Sequence, residues 1–306
     1  MISPLITPAP LPAPDLEIHQ PLPAVRSAFS LAMTVVGFVL MSLALLPLAA
    51  ILVMVVVRGI DHLSWATLTS LPAPPGVEDQ PNGFVNALAG SAIMIAIAIF
   101  IALPLGSMTG VLLAEFTQKT KLSAIIRSFL LVLASIPTLI IGVFVWHVLV
   151  KSLKSFSAIA GGVALSLVML PIIALTTEEA LKLVPQSYRL GSAALGGGRL
   201  PTVFRIAIPA ALPAITTGTL LAIARAAGET APVLLTAGYT AYWSEGLLKP
   251  TLALPHYIFL GATSPFADQT SPAWTAALVL LALVLVTNVL SRVLLADVTK
   301  SLLITN

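Results

Sequence analysis

Apolar residues fall into six long runs separated by short polar stretches. They are Ala28–Val57, Phe84–Ala114, Ser128–Val150, Phe156–Thr177, Ile208–Tyr239 and Ala273–Ser291. The first two carry no charge, and the fifth is interrupted by Arg225 and Glu229. A helix that crosses a bilayer takes about 20 mainly apolar residues. None of the runs alternates in polarity as barrel strands do. The pattern predicts an all-α polytopic membrane protein with six transmembrane helices.

The flanks read differently. Residues 1–27 hold seven prolines (Pro4, Pro8, Pro10, Pro12, Pro14, Pro21 and Pro23), which cannot build a helix. No basic segment precedes a short apolar core there, so a secretory signal peptide is not expected. This stretch is read as a disordered cytoplasmic extension. It is followed by a first transmembrane helix at 28–57, a five-helix core at 82–295 and a cytoplasmic tail at 296–306. The core contains an inside loop at about 178–207. With the N-terminus inside, ten basic residues face the cytoplasm (Arg26, Lys119, Lys121, Arg127, Lys182, Arg189, Arg199, Arg205, Arg292, Lys300). Four (Arg58, Lys151, Lys154, Lys249) face outward. This excess places both termini in the cytoplasm.

Composition narrows the function classes. Hydrophobic residues make up 58% and charged residues 9% of the 306 residues, against about 25% charged in soluble domains. Mean hydropathy is +1.03. An ordinary soluble enzyme and a disordered scaffold are excluded. The net charge of +3 gives no reason to expect nucleic acid. Without cysteine, disulfides and thiolate metal sites are impossible. The dipeptide Gly-Lys never occurs, so there is no phosphate-binding Walker loop. Gly196-Gly197-Gly198-Arg199 reads as a turn between short helices. No catalytic constellation, cofactor site or metal site is expected.

Chemistry concentrates in the fifth run. Its centre lies near residue 225, and an intramembrane charge costs about 2.5–3.5 kcal/mol on insertion scales. Arg225 and Glu229, four apart on a helix, share a face and can pair. Gly218, Ala222 and Pro232 fall on the same stripe, which should look into the bundle. Two readings stay open. Either the pair only fixes helix packing, or Arg225 attracts an anion in transit while Glu229 holds its guanidinium. The guanidinium fork matches oxyanions, and Thr230 adds a hydroxyl. Pro47, Pro104, Pro137, Pro171, Pro209, Pro213 and Pro232 either kink these runs or reflect ordinary membrane-helix composition. Trp146 and His147 read as interfacial. Tyr239, Tyr242, Trp243, Tyr257, Phe259 and Trp274 read as an outer aromatic lid, with a short surface helix around Pro255–Gly261.

The inside loop should form short helices broken at Pro185 and the glycines. A helix holding Ser187, Tyr188, Arg189, Leu190 and Gly191, followed by Gly196, suits a groove on a soluble partner. Leu190-Gly191-Ser192, Gly196, Ile206 and Ile208-Pro209 keep the spacing of the EAA loop of binding-protein-dependent ABC importer permeases, with Leu190 in place of the glutamate. Further segments carry a more specific likeness. These are Val111–Phe116, Ile136–Gly142, Thr176–Leu181, Ile208–Pro213 and above all Ala222–Pro232 (Ala-Ile-Ala-Arg-Ala-Ala-Gly-Glu-Thr-Ala-Pro). Over about 82–295 the chain resembles PstA-type permease subunits of phosphate importers.

The resemblance implies a type I ABC importer permease fold, with no catalysis in this chain. It implies a PstC-like sister permease, a PstB-like ATPase dimer that binds ATP and magnesium, and a PstS-like phosphate-binding protein. It also implies that Arg225 and Glu229 serve phosphate passage, beside which Thr230 is expected to take part, and that the loop holding Ser187, Tyr188, Arg189, Leu190, Gly191 and Gly196 couples the chain to the ATPase. Rival expectations are a permease for phosphonate, sulfate or molybdate, a secondary carrier with Glu229 as proton site, and a non-transporting membrane sensor or scaffold.

Overall fold

The computed structural model describes residues 24–77, 80–118 and 120–304. The proline-rich residues 1–23 lie outside the described residues. Ala24–Ser27, expected in that extension, instead open the first helix, α1 (Ala24–Asp61), which runs through Pro47. The described chain then continues through α2 (Trp65–Thr69), α3 (Val85–Val111), α4 (Lys121–Ser135), α5 (Thr138–Val145), α6 (Lys151–Leu153) and α7 (Ala158–Leu183). It ends with α8 (Gln186–Ala194), α9 (Arg199–Thr202), α10 (Ile208–Ala227), α11 (Ala231–Thr236), α12 (Leu254–Ala262) and α13 (Ala267–Ile304). Three π-helical segments, Leu112–Phe116, Trp146–Val150 and Val203–Ala207, widen turns at the ends of α3, α5 and α9.

Two compact units divide at Val53 and Met54. The first contains residues 24–53 of α1. In the second, α7 is the central element. It is buried almost all round, as a helix apolar on every face should be, and α3 and α10 pack along it. Met94, Ala98 and Ala102 of α3 meet Leu165, Met169 and Ile173 of α7 in one apolar cluster. Lipid tails are as apolar as leucine, so small residues and close contact, rather than water exclusion, hold such helices together. The spacing is set by glycines. A Cβ on Gly161 would lie 2.4 Å from Met94 Sδ, and one on Gly218 of α10 would lie 2.4 Å from Thr176 Oγ1 of α7. The end of α1 is pinned to α13, where the Thr275 hydroxyl donates to Gly59 O (3.1 Å) and Arg58 lies over the Trp274 ring (5.8 Å).

Among the described residues five helical stretches are long and apolar enough to cross a membrane, six if a bent pair counts as one span. Several boundaries differ from the sequence pattern. The third run is not one helix: α4 and α5–α6 meet at 98°. Pro137 withholds a backbone donor and drives Ile136 to extended backbone (ψ 129°). The fourth helix continues to Leu183, so Glu178 lies inside the bundle and not in the loop. The fifth run breaks after Ala227, and α11 is a separate helix. The final helix carries on through residues 296–304, which were expected as a tail.

Candidate functional site

The break after α10 follows from its residues. Gly228 closes the helix, donating to Arg225 O and Ala226 O. Pro232, unable to donate, sits in the first turn of α11. Glu229 and Thr230 therefore lie in the gap between two helices. The expected continuous helix face is not formed, yet the two charges still meet: Arg225 Nε is 3.8 Å from Glu229 Oε1. Arg225 stands at the end of α10, rather than in the middle of a span.

The pair straddles two sides of α7. Arg225 borders the α4–α5 bend at Ala134, Ile136 and Thr138, together with Pro171 of α7. Glu229 borders Ser91 and Met94 of α3, Leu165 of α7, and Ala253 and Pro255 at the start of α12. Two helix breaks and the start of a third helix thus converge on one ion pair. Non-helical backbone at membrane depth is tolerated where protein or a water-filled cavity re-satisfies it. The side chain of Arg225 is 54% exposed and that of Glu229 16%. Ala222 is fully buried and Gly218 abuts Thr176, so the small residues of the stripe make the helix contact and leave the guanidinium free of it. The Thr230 side chain is half-buried and caps no helix.

The 240–262 segment closes over this region at one end of the bundle. Asn86 of α3 donates to Thr240 O (3.0 Å) and Tyr242 O (3.1 Å), and Leu254 N donates to Ser91 Oγ (2.8 Å). Gly90 lets the 251–252 backbone lie directly on α3, since a Cβ there would be 2.1 Å from Leu252 O. Tyr239, Tyr242, Trp243 and Phe259 are exposed. Tyr257, expected among them, is instead buried against Phe84 (ring centroids 5.7 Å apart). The short helix α12 buries one side, including His256, whose imidazole burial pushes toward the neutral form.

The opposite end of the bundle, around the start of α4, the end of α7 and α8, holds two clusters of charge. Glu178 of α7, 2% exposed, accepts from Arg127 of α4 and from Lys182 Nζ (2.5 Å). Glu115, in the π-helical turn after α3 and 8% exposed, accepts from Arg189 Nη2 (2.5 Å). Arg189 also donates to Val184 O (2.7 Å) and Leu181 O (2.9 Å). Arg199 donates to Glu115 O and lies over the Phe116 ring (5.0 Å).

Of the residues expected to meet an ATPase, Ser187, Tyr188, Leu190 and Gly191 of α8 are exposed. The Arg189 side chain is only 25% exposed. It turns inward and clamps α8 to α3 and α7, because three acceptors gather its donors. Gly196 holds φ +78°, the turn that lets the chain reverse between α8 and α9. The sequence reading missed Glu115, Glu178 and Arg127 as paired groups. The available signal was acidic residues, Glu115 and the Glu178-Glu179 doublet, directly at the ends of apolar runs. Among the described residues no three His, Cys, Asp or Glu side chains gather as metal ligands.

Known proteins provide the comparison. Residues 102–300 match the family described as "Binding-protein-dependent transport system inner membrane component". The "Phosphate transport system permease protein PstA" of Yersinia pestis is 42% identical over 246 residues, covering 80% of this chain and 83% of that protein. The "Probable phosphate transport system permease protein PstA" of Methanocaldococcus jannaschii is 35% identical, covering 83% of this chain and 89% of that one. A solved structure of the "MetNI methionine ABC transporter" in inward-facing conformations is similar in fold, with a TM-score of 0.55 and 21% identity, over 70% of this chain and 94% of that chain.

Proposed function

The chain belongs to the binding-protein-dependent transport system inner membrane components, among the PstA permeases, and from that premise we propose that it moves inorganic phosphate inward by alternating access. The observation that carries this reading is Arg225: a half-exposed guanidinium beside its carboxylate, where two helix breaks meet. Arg225 draws the oxyanion and supplies paired donors. Glu229 orients Arg225 and offsets its charge, so the anion is held weakly enough to leave. Thr230 adds a hydroxyl. The names of the relatives support phosphate as the anion.

The chain catalyses nothing itself. A PstB-like ATPase dimer hydrolyses ATP, a PstC-like sister permease completes the pathway, and a PstS-like protein delivers phosphate from outside. The exposed face of α8 receives the ATPase. The Arg189 clamp carries its motion into α3 and α7. Both termini lie in the cytoplasm, as the basic residues favour.

In cells lacking other phosphate systems, Arg225→Gln should abolish most uptake at normal subunit levels. Undiminished uptake would remove Arg225 from the pathway. Competition by sulfate, molybdate or phosphonate stronger than that by phosphate would reassign the anion.

A further inference from the structure

An open groove of about 740 Å³ runs between α3 with its π-turn and the α9–α10 segment. Leu105, Met108, Leu112, Phe116, Leu200 and Phe204 line it, and the buried Thr177 hydroxyl, without a partner among the described residues, borders it. Beside it lies a cleft of about 350 Å³ lined by Glu115, Gln118, Arg189, Arg199 and Thr202. The two cavities share no lining residue but flank the same two segments. Along the π-turn, Glu115 lines the cleft while Phe116 lines the groove. Along α9, Arg199 lines the cleft while Leu200 lines the groove. Arg199 over the Phe116 ring marks the junction. The combined surface is apolar on one side and polar on the other. With Arg189 and Arg199 against Glu115, the cleft carries two positive charges and one negative, a net +1.

We propose that groove and cleft together hold one anionic phospholipid of the cytoplasmic leaflet, acyl chains in the groove and phosphodiester at Arg199. Basic pockets between membrane helices on the cytoplasmic side take acidic headgroups. Arg189 spends its donors on Glu115 and two carbonyls. Arg199 makes a single side-chain hydrogen bond among the described residues, to Glu115 O, which leaves guanidinium donors for a phosphate. A neutral choline lipid would bring its own cation to an already cationic cleft. The inference uses only the membrane setting and not the transport role of Arg225.

The test uses the complete purified importer, equilibrated with vesicles of phosphatidylglycerol or phosphatidylcholine and stripped to tightly held lipid, which native mass spectrometry then counts. Phosphatidylglycerol should be retained about fivefold over phosphatidylcholine, the worth of one basic side chain at the surface. Arg199→Gln should erase the preference, and Arg199→Lys should keep most of it. Leu212→Trp, which fills the groove, should lower retention of both lipids. Arg225→Gln should change none of this, so a failed transport reading is told apart. Equal retention of both lipids by the unsubstituted complex would overturn the proposal, as would a preference that survives Arg199→Gln. Displacement of phosphatidylglycerol by inorganic phosphate would also overturn it. So would a photocrosslinker at Met108 that captures a helix of another permease in place of lipid.

Discussion

Two regions of this protein use the same residue types to opposite ends. At the α8 end of the bundle, Glu115 and Glu178 are buried, with Arg189 and Lys182 each 2.5 Å from a carboxylate oxygen and Arg127 also on Glu178. Between α10 and α11, Arg225 and Glu229 stand 3.8 Å apart with the guanidinium half exposed. A closed pair has spent its hydrogen-bonding capacity on the fold. An open pair keeps donors for something else. The difference separates the charges that hold the bundle together from those able to handle an anion.

Glu178→Ala should produce the largest loss of stability. Breaking a wholly buried pair costs about 3–5 kcal/mol. Arg127 and Lys182 are 40% and 45% exposed and can turn to water, so about 2 kcal/mol is expected here. Arg225→Ala should cost under about 0.5 kcal/mol and still block uptake. Thermal melting of the detergent-solubilised importer compares them, and equal losses would erase the distinction.

Next comes the clamp. Arg189→Gln should lower phosphate uptake about tenfold, roughly 1.4 kcal/mol, while ATP hydrolysis persists, because α8 then moves without pulling α3. Pairing Glu115→Arg with Arg189→Glu should restore part of the uptake. A third comparison uses crosslinking: cysteine at Ser187 or Tyr188 should join the ATPase, whereas cysteine at the buried Ser192 should not. The smallest effects fall on two glycines of the same loop. Gly196→Ala, at φ +78°, should cost about 1 kcal/mol. Gly191→Ala, with nothing within 4 Å of its Cβ, should stay within about 0.5 kcal/mol.

Much of this was readable from sequence. Six apolar runs gave the spans, and Arg225 and Glu229 stood out because charge is rare in such runs. The bend at Ile136–Pro137 was not readable, since a proline in a membrane run can kink, break or simply be accommodated. The break at Gly228 was masked by the apolar residues that resume at Ala231. Arg189 and Arg127 lie 74 and 51 residues from Glu115 and Glu178, and no local periodicity records such distances; only the Glu178–Lys182 pair, four residues apart, is local. Arg189 was expected to face outward because an exposed helix with a polar start looks alike whichever way one long side chain turns.

The most direct test uses proteoliposomes holding the complete importer with its binding protein, supplied with ATP and labelled orthophosphate. The account predicts ATP-dependent accumulation, and for Arg225→Gln continued ATP hydrolysis with accumulation reduced at least tenfold. Hydrolysis without any accumulation of orthophosphate by the unsubstituted importer would contradict it, as would undiminished accumulation by the Arg225→Gln complex.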